Sequence, residues 1–425
     1  MKKLLFIVYN FLVVPVLYVF IRIAAFFNEK VARGIKGRKR ILEELIVNSS
    51  ALDKNKKLVW FHSASLGEFE QAKPIIQELK KTKSINVLVT FFSPSGYENS
   101  KKYPYADLIS YIPFDTYSNA IKFIKIVSPD LAVLMRYDIW PNHILALKKF
   151  KIPTFLVDAT MKGNTSRKLP LIKTFHKILF SKITKILTVS SADAEGFKEF
   201  GCMDKQVKAV GDTRFDRVFQ RSITAKEKNL IKEDFLKDKK VFVAGSTWEA
   251  DEEIILPAFL KLTKYDNNVI LIIAPHEPTL LHLEKLENDF AGKLNTIRFS
   301  FLNSYNGERV IIIDSIGILL TLYTYAQVAF VGGSYKQGIH NVLEAAVYGI
   351  PVLFGPKIEN SQESQELAHR GGGIIIKSKQ QAYRALRTLF LNENLRKKTG
   401  KISYAYVQEN LGATSRILHE ILQFL

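Results

Sequence analysis

Apolar residues fall in short dense blocks along most of the chain, separated by longer stretches in which they recur every three or four positions. The blocks lie at 58–62, 86–92, 108–112, 131–134, 154–157, 186–189 and 207–210. A second set lies at 241–244, 269–274, 310–313, 328–331, 352–354 and 373–376. Near-continuous apolar runs of this length are expected of parallel strands covered on both faces; a strand with one wet face would alternate. The stretches between them have helical spacing, as in 69–79, apolar at 69, 72, 75, 76 and 79. Strand–helix alternation of this kind predicts an α/β protein with doubly wound parallel sheets. The highly charged stretch 217–240 holds no such block and marks a seam between two domains, 41–216 and 217–425. The last stretch, 415–425, has helical character, but its pattern does not say what it packs on.

Residues 1–40 follow a different pattern. No charged residue occurs from Leu4 to Ile21, a span of roughly 27 Å as a helix. Asn10 and Pro15 interrupt it, and Lys30, Arg33, Lys36, Arg38, Lys39 and Arg40 follow with only Glu29 as a nearby acid. This pattern predicts a membrane anchor, spanning or half-immersed, with its basic flank and all later residues on the cytoplasmic side. A cleaved signal peptide is the rival. The apolar run is long for one, and no small-residue cleavage site precedes Arg22.

Charge narrows the partners. Lys and Arg number 61 against 41 Asp and Glu, a formal net charge of +20, so anionic partners are expected: an acidic membrane surface, phosphorylated substrates or nucleic acid. Paired Cys/His zinc spacing and RNA-binding aromatic motifs are absent, which argues against nucleic acid. The single cysteine, Cys202, excludes an intrachain disulfide and fits a reducing compartment.

Candidate chemistry lies where the apolar blocks end. Block 328–331 breaks into Gly332-Gly333-Ser334 and leads to His340-Asn341-Val342-Leu343-Glu344 before a helix-like stretch, 342–348. Glycines there permit close approach of a ligand to backbone N–H groups, and a helix start adds unpaired donors, a combination suited to a nucleotide phosphate. Similar turns follow the first block of each half: Ser65-Leu66-Gly67-Glu68 and Gly245-Ser246-Thr247-Trp248-Glu249. Ser65-x-x-Glu68 and Asn341-x-x-Glu344 also have capping-box spacing, so the same residues can be plain helix starts. As a helix-start carboxylate, Glu68 is expected to have its pKa held down by the dipole.

These blocks, in this order, resemble the 3-deoxy-D-manno-octulosonic acid (Kdo) transferases. The resemblance rests on the anchor and its basic flank, His62-Ser63-Ala64-Ser65-Leu66-Gly67-Glu68, Trp140-Pro141-Asn142, Gly211-Asp212-Thr213-Arg214-Phe215-Asp216, Gly245-Ser246-Thr247, and Phe330-Val331-Gly332-Gly333-Ser334 through His340-Asn341-Val342-Leu343-Glu344. It implies a GT-B-type glycosyltransferase of two Rossmann-like domains. The implied reaction moves Kdo from CMP-Kdo to a lipid A precursor (lipid IVA) with inversion, in lipopolysaccharide core assembly at the cytoplasmic face of the inner membrane. Glu68 then matches the catalytic base and Arg214 a position that stabilises the transition state. The CMP-contacting positions fall on Pro275-His276, on Ile316-Gly317-Ile318 and on Asn341 through Glu344. Glu344 is expected to accept ribose hydroxyls, while backbone donors near Gly332, Gly333 and Asn341 face the phosphate. Ordinary roles compete: Arg214 as a surface ion-pair partner, and His276 as a loop residue.

Three positions depart from the family pattern. Arg136 stands where many members have a first carboxylate, leaving Asp138 as the only acid of Arg136-Tyr137-Asp138-Ile139-Trp140. Ile318 stands where many have Glu, and Trp248 where many have His. With no Asp-x-Asp pair and no zinc-spaced cluster, neither a metal nor a cofactor is expected. The alternatives are another membrane-associated GT-B enzyme using a different nucleotide sugar, and a non-catalytic module that binds nucleotide or acidic lipid.

Overall fold

The computed structural model describes residues 2–161 and 165–425. These residues form two compact units, Met1–Arg217 with Leu411–Leu425, and Val218–Asn410. The division falls inside one helix, Thr213–Lys226, at the start of the charged stretch.

In the first unit, β1 (Leu58–Ser63), β2 (Asn86–Phe91), β3 (Leu108–Tyr111), β4 (Leu131–Met135), β5 (Thr154–Ala159), β6 (Lys185–Thr188) and β7 (Val207–Ala209) form a sheet in the order β3-β2-β1-β4-β5-β6-β7. In the second, β8 (Lys240–Thr247), β9 (Val269–Pro275), β10 (Thr296–Arg298), β11 (Val310–Ile312), β12 (Val328–Val331), β13 (Val352–Phe354) and β14 (Gly373–Ile375) follow the order β10-β11-β9-β8-β12-β13-β14. All pairings are parallel. Strand order reverses between β1 and β4 in one sheet and between β8 and β12 in the other. Connecting helices leave those neighbouring strands on opposite faces, which opens a crevice at their carboxyl ends.

Alternate residues of each apolar block serve opposite faces. Trp60, Leu88, Ala132 and Leu156 enter one core of the first unit, while Val59, Phe61, Val87, Val133 and Phe155 enter the other. The second core is closed by helix Leu66–Thr82, which buries Phe69, Ala72, Ile75, Ile76 and Leu79 completely. It is also closed by the terminal helix Ala413–Leu422 through Ile417 and Ile421. The last residues therefore return to the first unit, not to the 217–425 domain in which sequence order alone puts them. Asp216 accepts from the backbone N–H groups of Gly412 (2.7 Å) and Thr414 (2.6 Å), and Glu420 pairs with Lys185 (3.1 Å) and Lys208 (2.8 Å). Buried apolar area and a matched acceptor at the helix start outweigh chain order.

The N-terminal apolar segment runs to Phe27, past the 4–21 stretch. Leu4–Phe27 is 24 residues of helix, long and apolar enough to cross a membrane, and fits an anchor. A π-helical turn at Tyr9–Val13 precedes Pro15, which lacks a backbone N–H and crowds the preceding turn; widening that turn accommodates it. Tyr9 and Asn10, both in the widened turn, tie the segment to the first unit. The Tyr9 hydroxyl donates to Asp115 Oδ2 (2.7 Å), and Asn10 and Asn142 exchange side-chain amide bonds (3.2 and 2.9 Å). Asn10, an interruption by composition, is thus a docking residue.

Candidate active site

At the carboxyl end of β1, His62 is fully buried, with Nδ1 against the Thr90 hydroxyl (2.8 Å) and Nε2 against Asp138 Oδ2 (2.7 Å). Asp138 comes from the turn after β4, the other strand of the switch. Four residues past Ala64, Glu68 turns its carboxylate back to accept from the Ala64 N–H (2.6 Å). Ser65 occupies the cap position of this helix, but its hydroxyl makes no capping bond. The reciprocal capping box is therefore not formed, and Glu68 alone serves the helix start. Its pKa is raised, first by burial and then by the charge of Asp138, against the lowering effect of the Ala64 and Ser65 amides and His62. This reverses the dipole-based expectation, because desolvation outweighs the helix start here. Beside it, Gly67 opens on space: a Cβ there would meet nothing nearer than Ser65 Oγ at 4.0 Å.

Arg136 opens the β4 turn with φ +62°, in the left-handed region, and its N–H donates to the Val157 carbonyl (2.7 Å). Its guanidinium lies within electrostatic reach of Asp158, a fully buried residue at the end of β5. Burial and neighbouring Asp212 raise the Asp158 pKa, and the Thr213 hydroxyl donates to it. Next to Thr213, Arg214 is paired with Asp212 through Nε (2.9 Å to Oδ2) and its backbone N–H (2.8 Å to Oδ1). The block Gly211–Asp216 thereby ties β5, the Asp212–Arg214 pair and the terminal helix together. In the sequence His62 and Asp212 stand out only as members of longer motifs, with no role of their own, and Asp158 does not stand out at all. The signal in each case was a polar residue terminating, or closely following, an apolar block.

The second unit repeats the arrangement around β8 and β12. β8 runs on through Gly245-Ser246-Thr247 with an irregular register before β9's last residue, and Ser246 has φ +53°. A Cβ on Gly332 would lie 2.2 Å from the Ser246 carbonyl oxygen, so only glycine lets β12 pass. Gly245 faces Tyr323 and Leu319. The Gly332 N–H donates to Gly245 (2.9 Å), and that of Gly333 to Asp251 Oδ2 (2.8 Å). Those two amides are engaged within the protein, contrary to the expectation that they face a phosphate. Asp251 also accepts from Trp248 N–H (2.9 Å), and burial pushes its pKa up to about 6. The buried Ser334 hydroxyl accepts from Gly355 N–H (2.6 Å).

Three rings stack at this edge. His276 and His340 lie 4.2 Å apart, and Trp248 lies 4.8 Å from His276; the Trp248 indole N–H donates to His340 Nε2 (2.9 Å). That bond requires an unprotonated Nε2, and burial with the neighbouring His276 lowers the His340 pKa to about 4. Pro275 ends β9, while exposed Ile316 and Gly317 (φ +86°) and half-buried Ile318 follow β11 at the same edge. The helix after Asn341 is a single turn, Leu343–Ala346, capped by Val342 without a side-chain bond. Asn341 Oδ1 accepts from Leu343 N–H (3.2 Å), so the Asn341-x-x-Glu344 box is not formed either. Val342 and Leu343 bury their side chains in the core, leaving only backbone for a ligand. Glu344 lies 3.8 Å from Arg221, and its charge helps raise the Tyr323 and Tyr348 pKa values. Among the described residues, no group of three or more His, Cys, Asp or Glu is placed to hold a metal ion.

The family described as 3-Deoxy-D-manno-octulosonic-acid transferase (kdotransferase) matches residues 39–217. The 3-deoxy-D-manno-octulosonic acid transferase of Aquifex aeolicus is 33% identical over 76% of this chain and 83% of its own, and that of Haemophilus influenzae 27% over 86% and 87%. A bifunctional glycosyltransferase/methyltransferase of Fusobacterium nucleatum is 27% identical over 87% of this chain, which spans 58% of that protein's length. Among solved structures, UDP-GlcNAc 2-epimerase from Neisseria meningitidis aligns at TM-score 0.61 with 17% identity, over 87% of this chain and 100% of that one. MurG of Acinetobacter baumannii aligns at 0.54 with 14% identity, over 86% and 99%. The structural likenesses show the GT-B-type fold alone. Fold, family match and the Aquifex relative agree, and the chain belongs to the 3-deoxy-D-manno-octulosonic acid transferase family of glycosyltransferases.

Proposed function

We propose that this chain transfers Kdo from CMP-Kdo to a lipid A precursor, lipid IVA, with inversion, Glu68 acting as general base. The observation that carries this reading is the setting of Glu68: a carboxylate at a topological switch point, its pKa raised by burial and Asp138, with open space at Gly67. An ordinary surface carboxylate is too weak a base to take a hydroxyl proton; a raised pKa improves the match. The acceptor oxygen attacks the anomeric carbon, its proton passes to Glu68, and the bond to the CMP phosphate breaks. Arg214 neutralises charge on the departing phosphate or the Kdo carboxylate, with Asp212 orienting its guanidinium. Asp138 holds His62 and tunes Glu68, taking the supporting role that Arg136 cannot fill as a carboxylate.

In the second unit, the CMP moiety would lie along Gly245–Thr247, Pro275-His276, Ile316–Ile318 and Asn341–Glu344, with Glu344 accepting from the ribose. The Trp248–His276–His340 stack offers a flat surface to the base. Phosphate donors must come from elsewhere than Gly332 and Gly333. A monophosphate leaving group whose charge Arg214 neutralises requires no metal or cofactor in this scheme. The apolar helix would hold the protein at the inner membrane, its basic flank against anionic headgroups and the catalytic units on the cytoplasmic face. Nucleic acid has no part in it.

Mass spectrometry of lipid IVA after incubation with the purified full-length protein and fresh CMP-Kdo tests the reading. Mass increments of Kdo are expected. An unmodified acceptor, with calorimetry showing UDP or GDP bound in preference to CMP, would assign the chain a different nucleotide sugar.

A further inference from the structure

An apolar cavity of about 360 Å³ lies between the N-terminal helix and the first sheet's carboxyl edge. Val14, Leu17 and Ile21 of the helix form one wall; Phe92, Phe114 and Trp140 form the other. Its volume falls within the range of about 300–1,000 Å³ typical of small-ligand sites. A second hollow of about 300 Å³ shares Ile21, Phe92 and Phe114 and continues toward Asn28, Lys30 and Arg38. The groove thus runs from an apolar end beside the membrane helix to a basic end where that helix stops.

Its inner wall belongs to the loops that build the Glu68 site. Phe92 and Trp140 stack at 4.9 Å. Trp140 is two residues from Asp138, and Ser93, after Phe92, donates its N–H to the carbonyl of Ala64 (2.8 Å), whose own N–H bonds Glu68. Trp140 thus lines the cavity and also follows Asp138 in the loop that supports the Glu68 site. The helix face that forms the outer wall is apolar and otherwise uncovered by protein, so the groove can be entered from hydrocarbon.

We propose that this groove holds one acyl chain of the lipid acceptor, fixing its sugar head at Glu68. The proposal rests on the acceptor reading above. A chain moving from bilayer to apolar groove gains little hydrophobic free energy, since both surroundings are hydrocarbon-like. What it gains is orientation: the head group is held at the base instead of diffusing in the membrane plane. At the basic end Arg38 is committed to the backbone carbonyls of Gly34, Phe92 and Ile112, and exposed Lys30 is the side chain suited to a phosphate near the acyl chains.

The test uses the full-length protein in phospholipid nanodiscs with a lipid A precursor whose acyl chain carries a diazirine. Irradiation without CMP-Kdo is expected to label Val14, Leu17, Ile21, Phe92 or Trp140, and Leu17→Trp or Val14→Trp to reduce that labelling about tenfold, a change of about 1.4 kcal/mol. The same variants should raise KM for the acylated acceptor relative to that for its deacylated head group. Label confined to the outward residues Phe11, Phe26 and Phe27 overturns the proposal. So does equal labelling of the groove by a diazirine-tailed phosphatidylethanolamine, which would make the occupant bulk lipid. Because labelling needs no turnover, groove labelling without transfer would sink the Kdo assignment and keep the lipid site; transfer with an unlabelled groove would do the reverse.

Discussion

Glu68 and Asp138 are acids whose environments differ, and that difference assigns their roles. Glu68 loses solvent and feels a neighbouring negative charge, both of which favour its protonated form; Asp138 keeps a 2.7 Å contact with His62. Removing the charge with Asp138→Asn should lower the Glu68 pKa. The acid limb of the kcat/KM profile is then expected at lower pH, with a lower plateau because a weaker base accepts the proton. A limb that stays in place would detach Asp138 from Glu68. His340 gives a prediction of the opposite sign. Its pKa is lowered to about 4 from an ordinary 6.5, so between those values the folded state binds fewer protons than the unfolded one. The stability contributed by neutral His340 is full above pH 6.5 and is lost as pH falls toward 4. Denaturant midpoints across that window should fall less steeply for His340→Phe than for the wild type.

At the level of elements, β8 and β12 depend on a glycine. Gly332→Ala puts a methyl 2.2 Å from the Ser246 carbonyl oxygen, backbone against which no side chain can yield. A loss of about 1–3 kcal/mol or more is expected in equilibrium unfolding of the second unit. The strands were legible in the sequence because blocks such as 58–62 and 269–274 are apolar on both faces. β10 was not: Thr296-Ile297-Arg298 is a half-buried edge strand with one apolar residue, and an edge needs no more. The glycine turns were legible as chemistry-bearing positions, but their hydrogen bonding was not. Asn341-x-x-Glu344 has the spacing of a cap, yet the helix starts one residue late; Gly333 looks free in sequence, yet Asp251, 82 positions away, takes its N–H. Such partners are set by tertiary neighbours that local spacing cannot name.

At the scale of the whole chain, the first unit is completed by residues that follow the second. Ending the chain after Asn410 removes Ile417 and Ile421, both fully buried, and leaves Asp216 without the amides of Gly412 and Thr414. Two such isoleucines represent about 3–6 kcal/mol of burial. The truncated protein is therefore expected to unfold its first unit at lower temperature while the second keeps its own transition; a shared, unchanged transition would contradict the placement of the terminal helix. Amphipathic pattern alone could show that 415–425 is helical, whereas the surface it covers depends on the shape of a core built from residues 59–210. The most direct measurement of the account as a whole compares wild type with Glu68→Gln in a single preparation, assayed for Kdo transfer and for CMP binding. The account predicts transfer reduced by about 10²–10⁴-fold with CMP affinity unchanged. Transfer at the wild-type rate in that variant would contradict it.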